Sequence, residues 1–533
     1  MKIGIDVGGT HTDAVLIDDS LSLINKIKVK NNDIENSIIT SIESLIDKGK
    51  YYKDNIEISI STTLVTNAIS KNELERAGVF LIPGFDPLSF LYSSIPYIYK
   101  SSSGYIDHRG QIINRVSSND LENALKYFKD NNIKNIGVIS KFSTRNPELE
   151  KEAALFFKRN GFNVIEGNSL SGKLDFPRRV MTTYLSCGVY SIYQNVIKKI
   201  EKSIKNILPN SKINILKADG GSIPISEAIK KPIDTILSGP AASMMGFIFH
   251  LRSTYDDIIV MDVGGTTTDV GFFINGSPVI QREGISIGNI KTLVRGLKIF
   301  SLPIGGDSFF VVGEDGNISI NNKRLGLPYF FGGPKPTITD LSLFLDNNNS
   351  VLSAFQKEGF NKDDLYKLEC IVVDFLRERI KKGIELVNTK HIYTIEEFFE
   401  KRVFNPKKIV VVGGGAPYFK RFLEKTGYEV IILENYEVCN AIGAALARPS
   451  YELTLFANTL DSRLSIPEID YYEEIDYYFN ENKAKELVIN KLKELASFEP
   501  EIVEEESFNM VRGFNRIGKN IRIVGQIKPG LLL

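Results

Sequence analysis

The chain opens on a short run of apolar and small residues that ends at an acid and a glycine pair. Ile3-Gly4-Ile5-Asp6-Val7-Gly8-Gly9-Thr10-His11-Thr12-Asp13 leads into a second apolar run, Ala14 to Ile17. The pattern returns at mid-chain as Val260-Met261-Asp262-Val263-Gly264-Gly265-Thr266-Thr267-Thr268-Asp269, followed by Val270 to Ile274. Each copy predicts a strand, a tight glycine turn and another strand. Two widely separated copies point to two similar domains facing one another, and not to a solenoid of short repeats.

The remaining pattern alternates. Helical spacing predicts helices over Asp120–Asp130, Asn146–Asn160, Ser186–Ile207 and Asp364–Asn388, and another beginning after Pro417. Apolar runs at Ile136–Ile139, Lys212–Leu216 and Lys408–Val412 predict strands. This is an α/β chain. The polar stretch Ser253–Asp257 is the expected joint, and the character changes again after Pro449. The expected units are therefore 1–255, 256–449 and 450–533. In the last, Tyr451–Tyr478 is rich in acids and tyrosine, Lys483–Ala496 predicts an amphipathic helix, and Ile521–Ile527 a strand. No role for this unit follows from its residues.

Length agrees with several units: 533 residues correspond to about three or four domains at roughly 150 residues each. Lysine plus arginine equals aspartate plus glutamate, 65 against 65, which argues against a polyanion such as nucleic acid as the main partner. The three cysteines, Cys187, Cys370 and Cys439, are too scattered for a disulfide framework or thiolate site and favour a reducing interior. Asp6 stands where a secretory signal would carry its apolar core. The longest apolar candidate, Ile236–Phe249, contains Ser238, Gly239, Pro240 and Ser243 and is too short for a membrane span. The expectation is a cytoplasmic protein without a membrane segment. His11, His108, His250 and His391 are too far apart for a zinc motif.

The chemistry lies in the glycine turns. A Gly-Gly pair opens backbone angles closed to other residues and lets amide hydrogens converge on an anion. The candidate phosphate contacts are Gly8, Gly9, Thr10 and Thr12 in the first copy, with Gly264, Gly265, Thr266, Thr267 and Thr268 in the second. Asp6 and Asp262, at the strand ends, are candidate Mg²⁺ holders acting through water. Asp13 and Asp269 are candidates to orient a nucleophile or water, or to brace the turn. A third cluster, Gly413-Gly414-Gly415, follows the strand Lys408–Val412 and suits close approach of a flat nucleoside. Small-residue faces at Gly239–Ala242 and Asn440–Ala445 predict helices packed closely at the base of a cleft, where a hinge would lie.

Two phosphate turns followed by late nucleoside glycines resemble the superfamily of actin, sugar kinases and heat-shock-type chaperones. More closely, the chain resembles the hydantoinase A and 5-oxoprolinase family. The likeness rests on Ser61–Ala68, Ser140–Glu150, Asp219-Gly220-Gly221, Leu237–Ala241 and Phe331–Asp340, in that order, alongside the first turn. The resemblance implies two duplicated actin-like (ribonuclease H-like) ATPase domains around a nucleotide cleft, plus a small C-terminal α+β unit. It implies ATP- and Mg²⁺-dependent opening of a cyclic amide or imide, commonly with a separate B-type subunit. A homo-oligomer is also open. Three departures stand out. Asn55–Ser61 supplies no histidine ahead of Thr62, Asp307 replaces a glycine in Gly305-Gly306-Asp307-Ser308, and the chain is short at its C-terminus against the family. Two alternatives stay open: a small-molecule kinase, and an ATP-driven conformational protein.

Overall fold

Apolar runs too short for helices and flanked by glycine become the central strands. In a computed structural model the described residues are 1–31, 33–46, 55–250, 256–314, 317–389, 403–512 and 515–532. Lys2–Val7 pairs antiparallel with His11–Ile17 and parallel with Glu57–Thr62, within the strand order 222–224, 212–216, 57–62, 2–7, 11–17, 23–30. Ile258–Val263 pairs antiparallel with Thr268–Ile274 and parallel with Lys408–Val412, which pairs parallel with Glu429–Ile432. Both sheets thus join a hairpin to two parallel strands. Their central strands are buried on both faces, which is why they read as nearly continuous apolar runs.

Two further sheets flank these. Ile98–Lys100, Ala77–Ile82, Asn135–Ser140 and Asn163–Glu166 form a four-stranded parallel sheet with its own core around Phe80, Phe128 and Phe157. The C-terminal residues form a five-stranded antiparallel sheet, ordered 471–474, 463–466, 451–458, 515–527, 501–512. The helix Glu481–Leu495 buries Ala484, Val488 and Leu492 on it. The acid- and tyrosine-rich stretch after Tyr451 is therefore largely strand.

Predicted helices and strands recur within a few residues, with one large difference. The helix expected from Ser186 begins at Phe176 and runs to Ile207, capped by Asp175, which accepts the Arg178 N–H at 3.1 Å. Its first turns are buried nearly all round, so no polar stripe marks them. The apolar segment 236–249 becomes the buried helix Ser238–His250. Among the described residues no helix is long and apolar enough to cross a membrane. His391 and residues 253–255 of the expected joint lie outside the described residues.

The two small-residue segments are helices, Ser238–His250 and Cys439–Leu446, packed against each other between the two sheets. Gly443 leaves no room for a side chain: a β-carbon there would stand 1.9 Å from the Ala242 carbonyl oxygen. At Gly246 it would meet the Cys439 carbonyl oxygen at 1.9 Å, and at Gly4 the Ala441 carbonyl oxygen at 1.9 Å. Backbone touches backbone at these points, so both sheets are tied to one crossing.

Candidate active site

The two hairpins carry their acids in the same register. Asp6 faces Asp13 across the first and Asp262 faces Asp269 across the second. Each turn closes by one backbone bond, Gly8 N–H to the His11 carbonyl and Gly264 N–H to the Thr267 carbonyl, both 3.0 Å. The N–H groups of Gly9, Thr10, Gly265 and Thr266 have no backbone partner among the described residues.

The braces beneath the turns differ. Asn31 holds the first, donating to the Gly8 carbonyl at 2.6 Å and accepting the Thr12 hydroxyl at 2.5 Å. The loop 305–308 holds the second: Gly306 N–H donates to Gly264 O at 3.0 Å and Asp307 N–H to Gly265 O at 2.7 Å. Thr268 donates to the Ile304 carbonyl at 2.7 Å. The hydroxyls of Thr12 and Thr268 are thus committed to the fold, whereas Thr10 is exposed and Thr266 and Thr267 are half-buried.

Asp6 accepts hydrogen bonds from Ser61 Oγ and, at 2.7 Å, from Asn440 Nδ2. Asn440 also reaches Asp13 at 3.2 Å, and Lys28 pairs with Asp13 at 2.6 Å. Ser243 donates to Asp262 at 2.5 Å, and Ser301 donates to Asp269. Burial pushes the Asp6 carboxyl up to about 7 against the Ser61 and Asn440 hydrogen bonds, and the charges of Asp13 and Asp262 add to the rise. Burial likewise raises Asp262, with Asp13 contributing, and takes Asp269 to about 7. Carboxylates from both hairpins therefore act on one another in one place.

Gly413 adopts φ +84°, and a β-carbon there would meet the Asp262 carboxylate at 2.1 Å. Gly415 donates to the Val263 carbonyl at 2.9 Å and begins the helix Ala416–Glu424, while a β-carbon at Gly414 would meet open space. The third glycine cluster thus adjoins the second turn.

Several side chains had no counterpart among the expected site residues: Lys28, Asn31, Ser243, Ser301, Arg324 and Asn440. Arg324 pairs with Asp307 at 3.1 Å under the second turn. It is also near enough to His11, on the first hairpin, for its charge, like that of Lys28, to add to burial in lowering the imidazole pKa. Of these, Ser243 and Asn440 fell inside segments already singled out, as did Ser61. Lys28, Asn31, Ser301 and Arg324 come from strands and loops with no motif of their own.

The remaining segments divide. Ser61–Ala68 locks onto Leu237–Ala241: Thr62 N–H donates to Ser238 Oγ at 3.2 Å, and Leu237 N–H to Thr66 Oγ1 at 2.8 Å. In Phe331–Asp340, Thr339 donates to the Gly306 carbonyl at 2.9 Å, and Asp340 caps its helix by accepting the Thr337 N–H at 2.8 Å. Among the described residues Ser140–Glu150 makes no contact of this kind. Its Glu150 is buried, accepting from Ser140 N–H at 2.8 Å and Asn168 N–H at 2.7 Å. Asp219 is bound by Arg295 at 2.6 Å and by Ser450, beyond the end of the Cys439–Leu446 helix opposite Asn440.

The mixed α/β fold is that of two solved structures. A nucleotide-free acetone carboxylase structure overlays with TM-score 0.72 at 15% identity, covering 100% of this chain and 87% of that one. The ATP-dependent caprolactamase of Pseudomonas jessenii overlays with TM-score 0.71 at 16% identity, covering 99% and 87%. The Hydantoinase/oxoprolinase family profile matches residues 179–453, and that of its N-terminal region matches 2–161. The chain belongs to the hydantoinase/oxoprolinase family. Among its relatives, an uncharacterized protein of Methanocaldococcus jannaschii is 26% identical over 93% of this chain and 78% of its own length. The acetophenone carboxylase gamma subunit of Aromatoleum aromaticum is 23% identical over 84% of this chain and 68% of its own. The caprolactamase subunit alpha of P. jessenii is 20% identical over 81% and 68%.

Proposed function

We propose that the protein is the ATP-using subunit of an enzyme that phosphorylates the carbonyl oxygen of a small cyclic amide or imide, such as 5-oxoproline or a hydantoin. The observation that carries this reading is the matching pair of acid-flanked glycine turns, with Asp6, Asp13 and Asp262 acting on one another. In this reading residues 1–255 and 256–449 are duplicated actin-like ATPase domains, and 450–533 is an added unit. The relatives are named as gamma and alpha subunits, which supports a separate partner subunit.

The donor set fits Mg²⁺. It consists of the carboxylate oxygens of Asp6 and Asp262. Mg²⁺ keeps several waters and leans on one or two carboxylates plus substrate phosphates. Asp6 and Asp262 would hold it, and when bound it supplies charge neutralisation at the phosphates. The N–H groups of Gly9, Thr10, Gly265 and Thr266 would face the phosphate oxygens, with Lys28 and Arg324 adding positive charge. Gly413, Gly414 and Gly415 would lie against the nucleoside.

A cyclic amide resists water because nitrogen lone-pair donation makes its C–N bond partly double. Moving the γ-phosphoryl group onto the carbonyl oxygen forms one O–P bond and breaks the bond to ADP. Water then adds to the carbon and the ring nitrogen leaves with a proton, giving an open-chain acyl phosphate; a second water releases phosphate and leaves the carboxylate of an amino acid, or of a ureido acid from a hydantoin. Asp269, pushed up to about 7, suits the acceptor of the water proton near neutral pH. Asp13, fixed by Lys28 and Asn440, suits orientation.

ADP release should rise when 5-oxoproline or a hydantoin is added, with ring-opened product in equal amount. The 23% identity to a ketone carboxylase subunit favours one second reading, phosphorylation of a ketone before carboxylation. In that case acetone or acetophenone with bicarbonate stimulates instead. A stable phosphorylated product would identify a kinase, and a response only to a co-purifying protein would identify a conformational ATPase. Arg324→Ala should raise KM for ATP about tenfold, the scale of one hydrogen bond to a charged group. An unchanged KM would remove Arg324 from the phosphate site.

A further inference from the structure

The C-terminal sheet has two faces, because successive residues of a strand point to opposite sides. The helix Glu481–Leu495 covers one, over Leu455 and Ile523. On the other, strand pairing sets Phe456 beside Arg522 and Asn458 beside Asn520, then Arg522 beside Glu506 and Asn520 beside Phe508. Loops that follow strands of the four-stranded parallel sheet close over part of this face. Arg463 donates to the Gly110 carbonyl at 2.8 Å, and Ser465 Oγ to that of Thr144 at 2.9 Å. The seam keeps a pocket of about 70 Å³, to which the loops add Arg109 and Arg145. That is room for a few waters or one tetrahedral oxyanion.

Four arginines therefore meet at this pocket, and two of them are neutralised. Arg109 pairs with Asp107 at 3.0 Å, and Arg522 with Glu504 at 2.6 Å and Glu506 at 3.5 Å. Asp107 has nothing to spare, since it also accepts the N–H groups of Arg109 and Gln111, each at 2.9 Å. Arg145 and Arg463, both half-buried, have only carbonyls: Arg145 Nη1 donates to His108 and Arg463 Nη1 to Gly110. Among the described residues neither pairs with a carboxylate. Burial lowers the Arg145 guanidinium, and only the charge of Asp107 opposes it. The Asn520 side-chain amide, in the same wall, makes no hydrogen bond among the described residues either.

Two guanidinium groups from opposite sides of the seam are thus braced on one loop, 108–110, and face one pocket. Each keeps N–H donors unused, and without an anion the two charges repel. We propose that this pocket binds a phosphate-type dianion, held by Arg145 and Arg463 with the Asn520 amide. Two planar forks suit an oxyanion, and two positive charges match the near-double charge of a phosphate group. Half-exposed Phe508 and Leu174 stand in the same lining, where the organic part of a phosphate monoester would lie. No residue of the glycine turns takes part, so the assignment does not depend on the nucleotide reading. Free phosphate and a phosphate monoester share the chemistry. Either would tie the C-terminal sheet to the loops above it and raise the melting temperature.

Calorimetric titration of the full chain with sodium phosphate, and separately with phenyl phosphate, distinguishes the two sources, with acetate at equal ionic strength as the singly charged comparison. Phosphate should bind at least about tenfold more tightly than acetate. Tighter binding of phenyl phosphate assigns the site to a monoester, and equal or weaker binding assigns it to the free ion. Arg145→Gln and Arg463→Gln should each weaken the preferred probe about tenfold, with a cooperative melt reporting an intact fold. Should either not fold, Asn520→Leu replaces it, with an expected loss of about threefold, because that amide holds nothing in the fold. Probe binding undiminished in the variants puts the ion elsewhere and overturns the site. Acetate bound as tightly as phosphate overturns it too. No heat from either probe, with a thermal shift from ATP and Mg²⁺ present, overturns this site alone. Arginine-dependent probe binding without that shift overturns the nucleotide reading alone.

Discussion

Asp6→Asn is expected to lose ATP turnover by on the order of 100-fold, the scale seen when a group around a metal is removed, and yet to melt higher than the wild type above pH 7 without nucleotide. The two effects have one cause. Asp6 is buried beside Asp13 and Asp262, and burial first, then those charges, takes its carboxyl from the ordinary 3.8 to about 7. The unfolded chain releases this proton near the ordinary value, whereas the folded chain keeps it until pH approaches 7. Between those values the unfolded state binds fewer protons, so stability falls as pH rises, and the loss is complete above the folded value. The cost is at most on the order of 4 kcal/mol. Asparagine carries no charge to bury, and its carbonyl oxygen can still accept from Asn440 or Ser61. Thermal melts of the nucleotide-free protein at pH 5 and pH 8 should therefore show a shallower decline in the variant. Equal slopes would mean that Asp6 is not the group titrating. Retained turnover would remove Asp6 from the proposed Mg²⁺ site.

The hairpins were legible because their grammar is local. An apolar run, an acid and two glycines dictate a strand and its turn, and the repetition of the pattern showed that the two belong together. The strands Lys212–Leu216 and Lys408–Val412 occur with the expected bounds for the same reason. What holds the turns was not legible. Asn31 and the loop 305–308 do the same work for the two copies from unrelated stretches of chain, so no repeat announces them. Lys28, Ser243 and Ser301 each reach an aspartate through sheet pairing or helix packing. Such contacts are fixed by tertiary register, to which spacing along the chain is blind. Asp307 shows the limit from the other direction. Its presence in a glycine-rich element was evident, but its ion pair with Arg324 required knowing where residue 324 returns.

Gly443→Ala separates two views of the crossing between Ser238–His250 and Cys439–Leu446 by its sign. In a helix free to adjust, alanine for glycine gains about 1 kcal/mol of propensity. Here the new β-carbon would stand 1.9 Å from the Ala242 carbonyl oxygen and 2.4 Å from the Gly246 nitrogen. Both are backbone atoms inside a helix, with no flexible side chain to swing away. The helices must part, and overpacking of this kind costs about 3 kcal/mol, outweighing the propensity gain. Parting them also moves chemistry. One helix carries Ser243 on Asp262 and the other carries Asn440 on Asp6, so the crossing sets the distance between the two acid pairs. Gly443→Ala should therefore lower the urea midpoint and weaken nucleotide binding together. Gly414→Ala, where nothing lies within 4 Å of the added carbon, should weaken nucleotide binding with the midpoint unchanged. A Gly443→Ala protein more stable than the wild type would mean that the two helices do not touch backbone to backbone, and that the hairpins are not held together through them.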